Sequence, residues 1–465
     1  MAFRCAVLLL LFWFVRPQDV IPSLAGLNIV RYLMLLGIWA TWSRPGGLKL
    51  GHIIRTPIDC MMMGYLFWMV FTTDEHFTAF KEVFTYFAFY VLTVLALDSE
   101  EKIKRYLNYW CLALLVVCLL TLASHVGFEI VAGSNALTSA FKGRVALNTW
   151  IFNNPNALGH CSTALIPLAV AWFGLHQPTA NRGLMVILMV AGAYCTILTE
   201  SKGAYISGVV SLCNLFLFRR SVWIQLLAVQ LMLTAGVGAL SFLPRMETLS
   251  SKDEGIMGRM MVWQSAMWSL KENPGGVGLK KFQGTIEVED LGTINLATHG
   301  SFVRNGADLG YPGLFFFGGL FFTAYLTLRR QKFERAAEAS RIQAALAALV
   351  ASYAFSSWVV DRAYHADFIL LMALFSAYHR VLVAPQEKTL VEPASPVVNG
   401  TELITHSRNG SDNEGQQNAE TVQVSEVGLV PGWGFLKPHE LLLIVGLVWL
   451  IVYAWDYQST KFLPF

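Results

Sequence analysis

Apolar residues in this chain come in long, nearly unbroken runs, and polar residues are gathered into the stretches between them. A membrane span needs about twenty apolar residues, fewer where anchors flank it. By that measure about thirteen runs are candidates, at 2–15, 27–42, 57–71, 77–97, 106–127, 155–175, 183–199, 203–218, 222–243, 307–328, 342–360, 363–378 and 441–455. The runs lack the two-residue alternation of a barrel strand. A backbone in hydrocarbon must also satisfy its own hydrogen bonds, so the pattern predicts helices. The expected fold is an all-α polytopic membrane protein of about 12–13 transmembrane helices. One long polar loop, 244–305, interrupts the pattern and is expected to carry short amphipathic helices.

Two ends of the chain modify this picture. The first run has a basic residue and an apolar centre, like a secretion signal, but no small-residue cleavage site precedes Arg16-Pro17-Gln18-Asp19, so a retained helix is expected. Residues 384–438 are rich in Gln, Glu, Asn, Ser and Thr and read as a disordered cytoplasmic linker. The organisation that follows is a bundle at 1–383 that includes the loop 244–305, the linker, and an additional C-terminal transmembrane helix at 439–465, an appendage to the bundle. The sequons Asn399-Gly400-Thr401 and Asn409-Gly410-Ser411 fall in the linker and carry no weight there.

Composition fixes the class: 55% of the 465 residues are hydrophobic and 14% are charged. The net charge of +3 is spread over many loops, which excludes a nucleic-acid binder. The seven cysteines lie in or beside apolar runs with no CxxC or Cys/His spacing, so neither a disulfide framework nor a zinc site is supported. Lys and Arg also orient the bundle. With the N-terminus in the cytoplasm, the inner loops receive Arg44, Lys49, Arg55, Lys102, Lys104, Arg105, Arg182, Arg219, Arg220 and the cluster from Arg329 to Arg341, as the positive-inside rule requires. The outer loops nevertheless hold Lys142, Arg144, Lys202, Arg245, Lys252, Arg259, Lys280, Lys281 and Arg304. Cations placed against the rule point to an anionic ligand met outside.

Three polar constellations stand out. In Asn153-Asn154-Pro155-Asn156-Ala157-Leu158-Gly159-His160, capping chemistry accounts for Asn154 and Pro155. Asn156 and His160, one turn apart just inside the bilayer, face either a cavity or a neighbouring helix. In Thr199-Glu200-Ser201-Lys202-Gly203, Lys202 is either an exposed hairpin charge or, beside a helix N-terminus, part of a phosphate clamp. In the long loop, an amphipathic helix is expected from about Gly258 to Glu272, before the Asn273-Pro274 break. There Arg259 is an anion ligand or a helix-end partner of Asp253 or Glu254, and His299 is a base or a solvated loop histidine.

Taken in order, Asn154-Pro155-Asn156, Ser201-Lys202-Gly203, Gly258-Arg259 with Trp263 and Asn273-Pro274-x-x-x-Gly278, and His299-x-Ser301 with Asp308-x-Gly310-x-x-Gly313 resemble the O-antigen ligase superfamily. Motif detail runs from about Asn153 to Gly313. The start, Val15-Arg16-Pro17-Gln18-Asp19, is similar to members associated with exosortase or exopolysaccharide clusters. The resemblance implies transfer of a glycan from an undecaprenyl-pyrophosphate carrier to an acceptor hydroxyl on a glycan, lipid or protein, at the periplasmic face of the bacterial inner membrane. It implies no metal and no other cofactor; the partners would be the lipid-linked donor, the acceptor and membrane lipids. His299 would be the general base and Arg259 and Lys202 would bind pyrophosphate, with Asn156 also in the substrate site. Arg304 would add a phosphate contact or else anchor its helix at the headgroups. Two departures from the family pattern are Lys202, where arginine is common, and Gly300, where asparagine commonly follows the histidine. Ligase and polymerase share this donor and are not separated by sequence. The rival class is a transporter or flippase of lipid-linked or anionic substrates, and a third is a non-catalytic subunit of an export complex; no internal repeat of the kind many transporters show is visible.

Overall fold

The computed structural model describes residues 1–24, 26–43, 50–173, 179–218, 220–221, 223–224, 254–288, 292–330, 338–383 and 436–461. The expected run 222–243, apart from two residues, and the expected linker 384–438, apart from its last three, lie outside the described residues. The other runs are helices: α1 (Ala2–Phe14), α2 (Ile29–Trp42), α3 (Pro57–Phe71), α4 (His76–Ala96), α5 (Glu100–His125), α6 (Pro155–Phe173), α7 (Thr179–Leu198) and α8 (Lys202–Leu217) come before the polar loop. The loop holds α9 (Glu254–Glu272) and a hairpin of β1 (Thr285–Val288) and β2 (Gly292–Asn295); α10 (Ser301–Arg330), α11 (Glu338–Val359), α12 (Ala366–Tyr378) and α13 (Pro438–Lys461) follow. Seven of the described helices, α4, α5, α7 and α10 to α13, are long and apolar enough to cross a membrane.

Local chemistry sets the helix ends. Thr56 and Asp59 form a reciprocal capping box ahead of Pro57 at the first position of α3. Ser99 caps α5, whose first turn carries Glu100 and Glu101 against the positive end of the dipole. Ser201 caps α8 by accepting from the Ala204 amide at 3.3 Å. The outward faces of α7 and α13 remain apolar, with Ile187, Val190, Leu442, Val445 and Trp449 exposed. A stripe of that extent is what lipid would cover.

The helices pack in two groups. α6 lies against α5, α7, α8 and α11, while α10 lies against α3, α9 and α13; α11 also touches α10 and joins the groups. Between α10 and α12 an aromatic cluster of Phe302, Phe317, Phe321 and Phe368 fills the core, with ring centroids 4.8–6.0 Å apart. Near the other end of α3, Asp59 is fully buried and compensated by Arg380 at 2.8 Å, the Tyr90 hydroxyl at 2.6 Å and Ser376 at 2.5 Å. A charge so placed is tolerable only when paired and hydrogen-bonded.

Three findings depart from the sequence reading. The polar loop contains a two-stranded antiparallel hairpin, in the register Thr285 to Asn295, within an otherwise helical protein. The last helix is docked on the side of the bundle by specific contacts: Trp455 is fully buried and donates to the Trp263 carbonyl at 2.9 Å, and Glu440 pairs with Arg330 at 2.6 Å. Finally, α10 begins at Ser301, six residues before the apolar run, and is broken at Gly310 (φ 68°, ψ −162°).

That break is where the polar loop is fastened. The Tyr311 amide donates to the Pro274 carbonyl at 2.9 Å, and the Gly278 amide to the Asp308 carbonyl at 2.8 Å. The two backbones touch so closely that a Cβ on Gly310 would collide with the Pro274 carbonyl oxygen. Left-handed backbone and contact together leave only glycine. Gly310→Ala is therefore expected to cost at least ~2 kcal/mol, read as a drop of several degrees in the thermal midpoint of the purified protein. An unchanged midpoint would refute this account of the break.

Candidate functional site

His299 sits in left-handed backbone (φ 47°), a conformation that costs a non-glycine residue roughly 1–2 kcal/mol. The surrounding contacts hold it there. Before it, the Thr298 carbonyl accepts from Trp263 Nε1 at 2.7 Å, tying the loop to α9. After it, Ser301 Oγ donates to the Val360 carbonyl at 2.9 Å and accepts from the Arg362 amide at 2.8 Å. Ser301 thus welds the histidine loop to the turn between α11 and α12. Gly300 also finds a reason: a Cβ there would lie 3.0 Å from the Trp358 carbonyl oxygen and 3.3 Å from the Trp263 ring. The indole occupies the ground into which a larger residue would grow.

The weld brings Asp361 to the same cavity as His299. This cavity, of about 280 Å³, is lined by Trp150, Asn153, Asn154, Asn156, His299, Asp361 and His365, among others. Burial pulls the His299 imidazole down to about 4, helped by the positive charge of Arg259 nearby, so the ring is neutral at physiological pH. Burial pushes the Asp361 carboxyl up to about 6, against the attraction of Arg304. Thr298 Oγ1 lies 3.5 Å from Asp361 Oδ2. A neutral ring and a carboxylate share a partly enclosed wall, an arrangement able to take a proton and stabilise the resulting imidazolium.

Asn156, predicted from sequence, lines this cavity and is fixed by Arg144, which donates to its Oδ1 at 2.7 Å. The same guanidinium donates to the Thr199 carbonyl at 3.0 Å, so the turn bearing Lys202 is bound to the Asn156 helix. Lys202 is the first residue of α8, at the positive end of its dipole. Arg259, on α9, is close enough to act on His299. Arg304 is engaged differently: it pairs with the buried Asp308 at 2.6 Å, one turn along α10. His160 lies one turn beyond Asn156, buried at 2% exposure, with neither ring nitrogen hydrogen-bonded to a described residue. Among the described residues, no group of three or more His, Cys, Asp or Glu side chains is placed to hold a metal ion.

Sequence reading missed Asp361, Trp150 and His365. The only signal for Asp361 was that Asp361-Arg362 interrupts two apolar runs; an acid between two spans carries no motif. The Trp150 and His365 rings stack, with centroids 5.5 Å apart and planes at 20°. They are more than two hundred residues apart in the chain, a distance no local pattern bridges.

Comparison with known proteins supports the resemblance read from the motifs. The O-antigen ligase family model matches residues 185–318, a segment that runs from α7 past the break in α10 and contains Lys202, Arg259, His299 and Arg304. No curated protein matches the chain. Over that central segment the chain is similar to O-antigen ligases, and its long apolar helices make it a multi-pass membrane protein.

Proposed function

We propose that this protein transfers a glycan from an undecaprenyl-pyrophosphate-type carrier to an acceptor hydroxyl at the periplasmic face of the inner membrane. The family supports glycosyl transfer of the ligase or polymerase kind. The observation that carries the finer reading is the neutral His299 in one cavity with Asp361 and Asn156, beside Arg259. The acceptor oxygen attacks the anomeric carbon and forms the new C–O bond while its proton passes to the imidazole. The anomeric C–O bond to pyrophosphate breaks and its electron pair leaves on the phosphate oxygen. Arg259 and Lys202, with the α8 N-terminus, bind that growing charge. A ring with a pKa near 4 is a weak base until substrate fills the cavity; Asp361, which lines the same cavity, is the carboxylate that would then favour the imidazolium. In this reading Arg304 holds its place through Asp308 and contributes to the site by its field. A polymerase differs only in the acceptor, a growing glycan. The Lys and Arg residues of the inner loops, the cluster from Arg329 to Arg341 above all, support the periplasmic side for this site.

Transfer by purified protein from a defined undecaprenyl-pyrophosphate glycan, with EDTA present, tests the proposal. His299→Ala is expected to lower the rate by about 10²–10⁴-fold; equal transfer by mutant and wild type would remove His299 from the chemistry, and a wild type that transfers only without EDTA would show that a metal takes part.

The pH profile tests Asp361. Its carboxyl gains a proton as pH falls through about 6 and then ceases to favour the imidazolium, so kcat/KM is expected to fall on the acid side with an apparent pKa near 6. In Asp361→Asn the plateau drops and the limb moves toward the His299 value of about 4. A limb left near 6 in that variant would assign it to another group.

A further inference from the structure

Trp150 is 55% exposed, yet it is held from several sides. Its backbone amide donates to Asp19 Oδ2 at 3.0 Å, across 131 residues of chain. Asp19 is itself gripped by Arg16, whose guanidinium carbon lies 5.4 Å from the centroid of the Trp150 ring. Arg16 takes left-handed backbone (φ 50°) to do so. The Trp13 ring meets Trp150 edge-on at 5.6 Å and His365 edge-on at 6.5 Å, and His365 stacks flat against Trp150. The N-terminal Arg16-Pro17-Gln18-Asp19 segment, which the transfer chemistry leaves unused, is thus the support of one exposed indole. A ring that is both fixed and open is built to meet a ligand.

The surroundings of the ring indicate the ligand class. Trp150 and His365 wall the same cavity as His299, and Asn153, Asn154 and Asp361 stand around them. With His365 stacked on the ring and Arg16 over it, the exposed remainder of the indole, edged by amides and a carboxylate, matches a pyranose, which has a face of C–H groups and a rim of hydroxyls that donate and accept. An acyl chain would leave the amides unsatisfied in an apolar contact. A volume of about 280 Å³ is at the small end for ligand pockets and suits a single sugar ring rather than a whole glycan.

We infer that Trp150 and His365 form a saccharide platform that seats the terminal sugar of the acceptor beside His299. The acceptor is therefore a glycan and not a protein side chain. Assigning the sugar to the acceptor rests on the proposed role of His299 as the base that takes the acceptor proton. The platform excludes water from one side of the reacting hydroxyl and presents it to the imidazole. Trp150 is a binding residue that touches the sugar and takes no proton.

Saturation-transfer NMR on the full chain in nanodiscs tests this without relying on turnover. The probes are the methyl glycosides of glucose, galactose, mannose, rhamnose and N-acetylglucosamine, with glycerol as control. Wild type and His299→Ala are both expected to transfer saturation to the ring C–H protons of at least one glycoside and not to glycerol. Trp150→Ala is expected to weaken that binding roughly tenfold, and Trp150→Phe to retain most of it. The thermal midpoint of each variant separates lost binding from lost fold. In the transfer assay, Trp150→Ala should raise KM for a glycan acceptor while leaving KM for the donor unchanged. No glycoside signal in wild type, or equal signals in wild type and Trp150→Ala, would overturn the platform. An increase in donor KM alone would overturn its assignment to the acceptor. Failure of the base reading appears elsewhere, as undiminished transfer by His299→Ala, so the two results are separable.

Discussion

The buried carboxylate of Asp308 holds the polar loop to the helix bundle. It accepts from the Phe282 amide at 2.7 Å, from Arg304 Nε at 2.6 Å and from the Tyr364 hydroxyl at 3.0 Å. Those three donors belong to the polar loop, to α10 and to the segment that starts α12. A carboxylate removed from water must be satisfied by donors of good geometry, and this one draws them from three separate parts of the chain. Removing it would take from the partly buried Arg304 its hydrogen-bonded carboxylate and release the loop from the helix at once. The Gly310 break and the Ser301 weld lie on either side of this hub, so the position of His299 follows from it.

The arrangement divides labour between rigid support and chemistry. Trp263 illustrates the support: its indole nitrogen fixes the Thr298 carbonyl, its ring lies over Gly300, and its carbonyl receives the Trp455 indole of the last helix. A helix some 190 residues further on thereby backs the loop that carries the candidate base. Such support has a physical purpose, because a left-handed histidine returns to ordinary backbone unless its surroundings hold it. The departure from the family at Gly300 makes sense in the same terms. Space that an asparagine would take is occupied here by an aromatic ring and a carbonyl.

The electrostatics of the site also depend on enclosure. His299 and Asp361 are displaced in opposite directions, the imidazole downward and the carboxyl upward, and burial is the leading cause in both. Each is thereby disposed toward its neutral form, the kind of displacement that clusters at functional sites. Arg259 adds to the downward shift of His299, whereas Arg304 works against the upward shift of Asp361.

Much of this protein was legible in the chain because hydrocarbon imposes a strict rule: long apolar runs become helices, and loop cations choose a side. The runs from α1 to α8 and from α10 to α13 follow from it, as does the helix before Asn273-Pro274. His299, Arg259, Lys202 and Asn156 were visible because they belong to short motifs in order. Other features depended on distance. Asp361 reaches the cavity through Ser301, Trp150 is positioned by Arg16 and Asp19, and α13 docks through Trp455; none leaves a local pattern, since each is a pairing between segments far apart in sequence. Periodicity records what a residue does within its own helix. Which helix stands next to it, and which buried donor a carboxylate will find there, is decided only when the packed bundle must satisfy every polar group it has taken out of water.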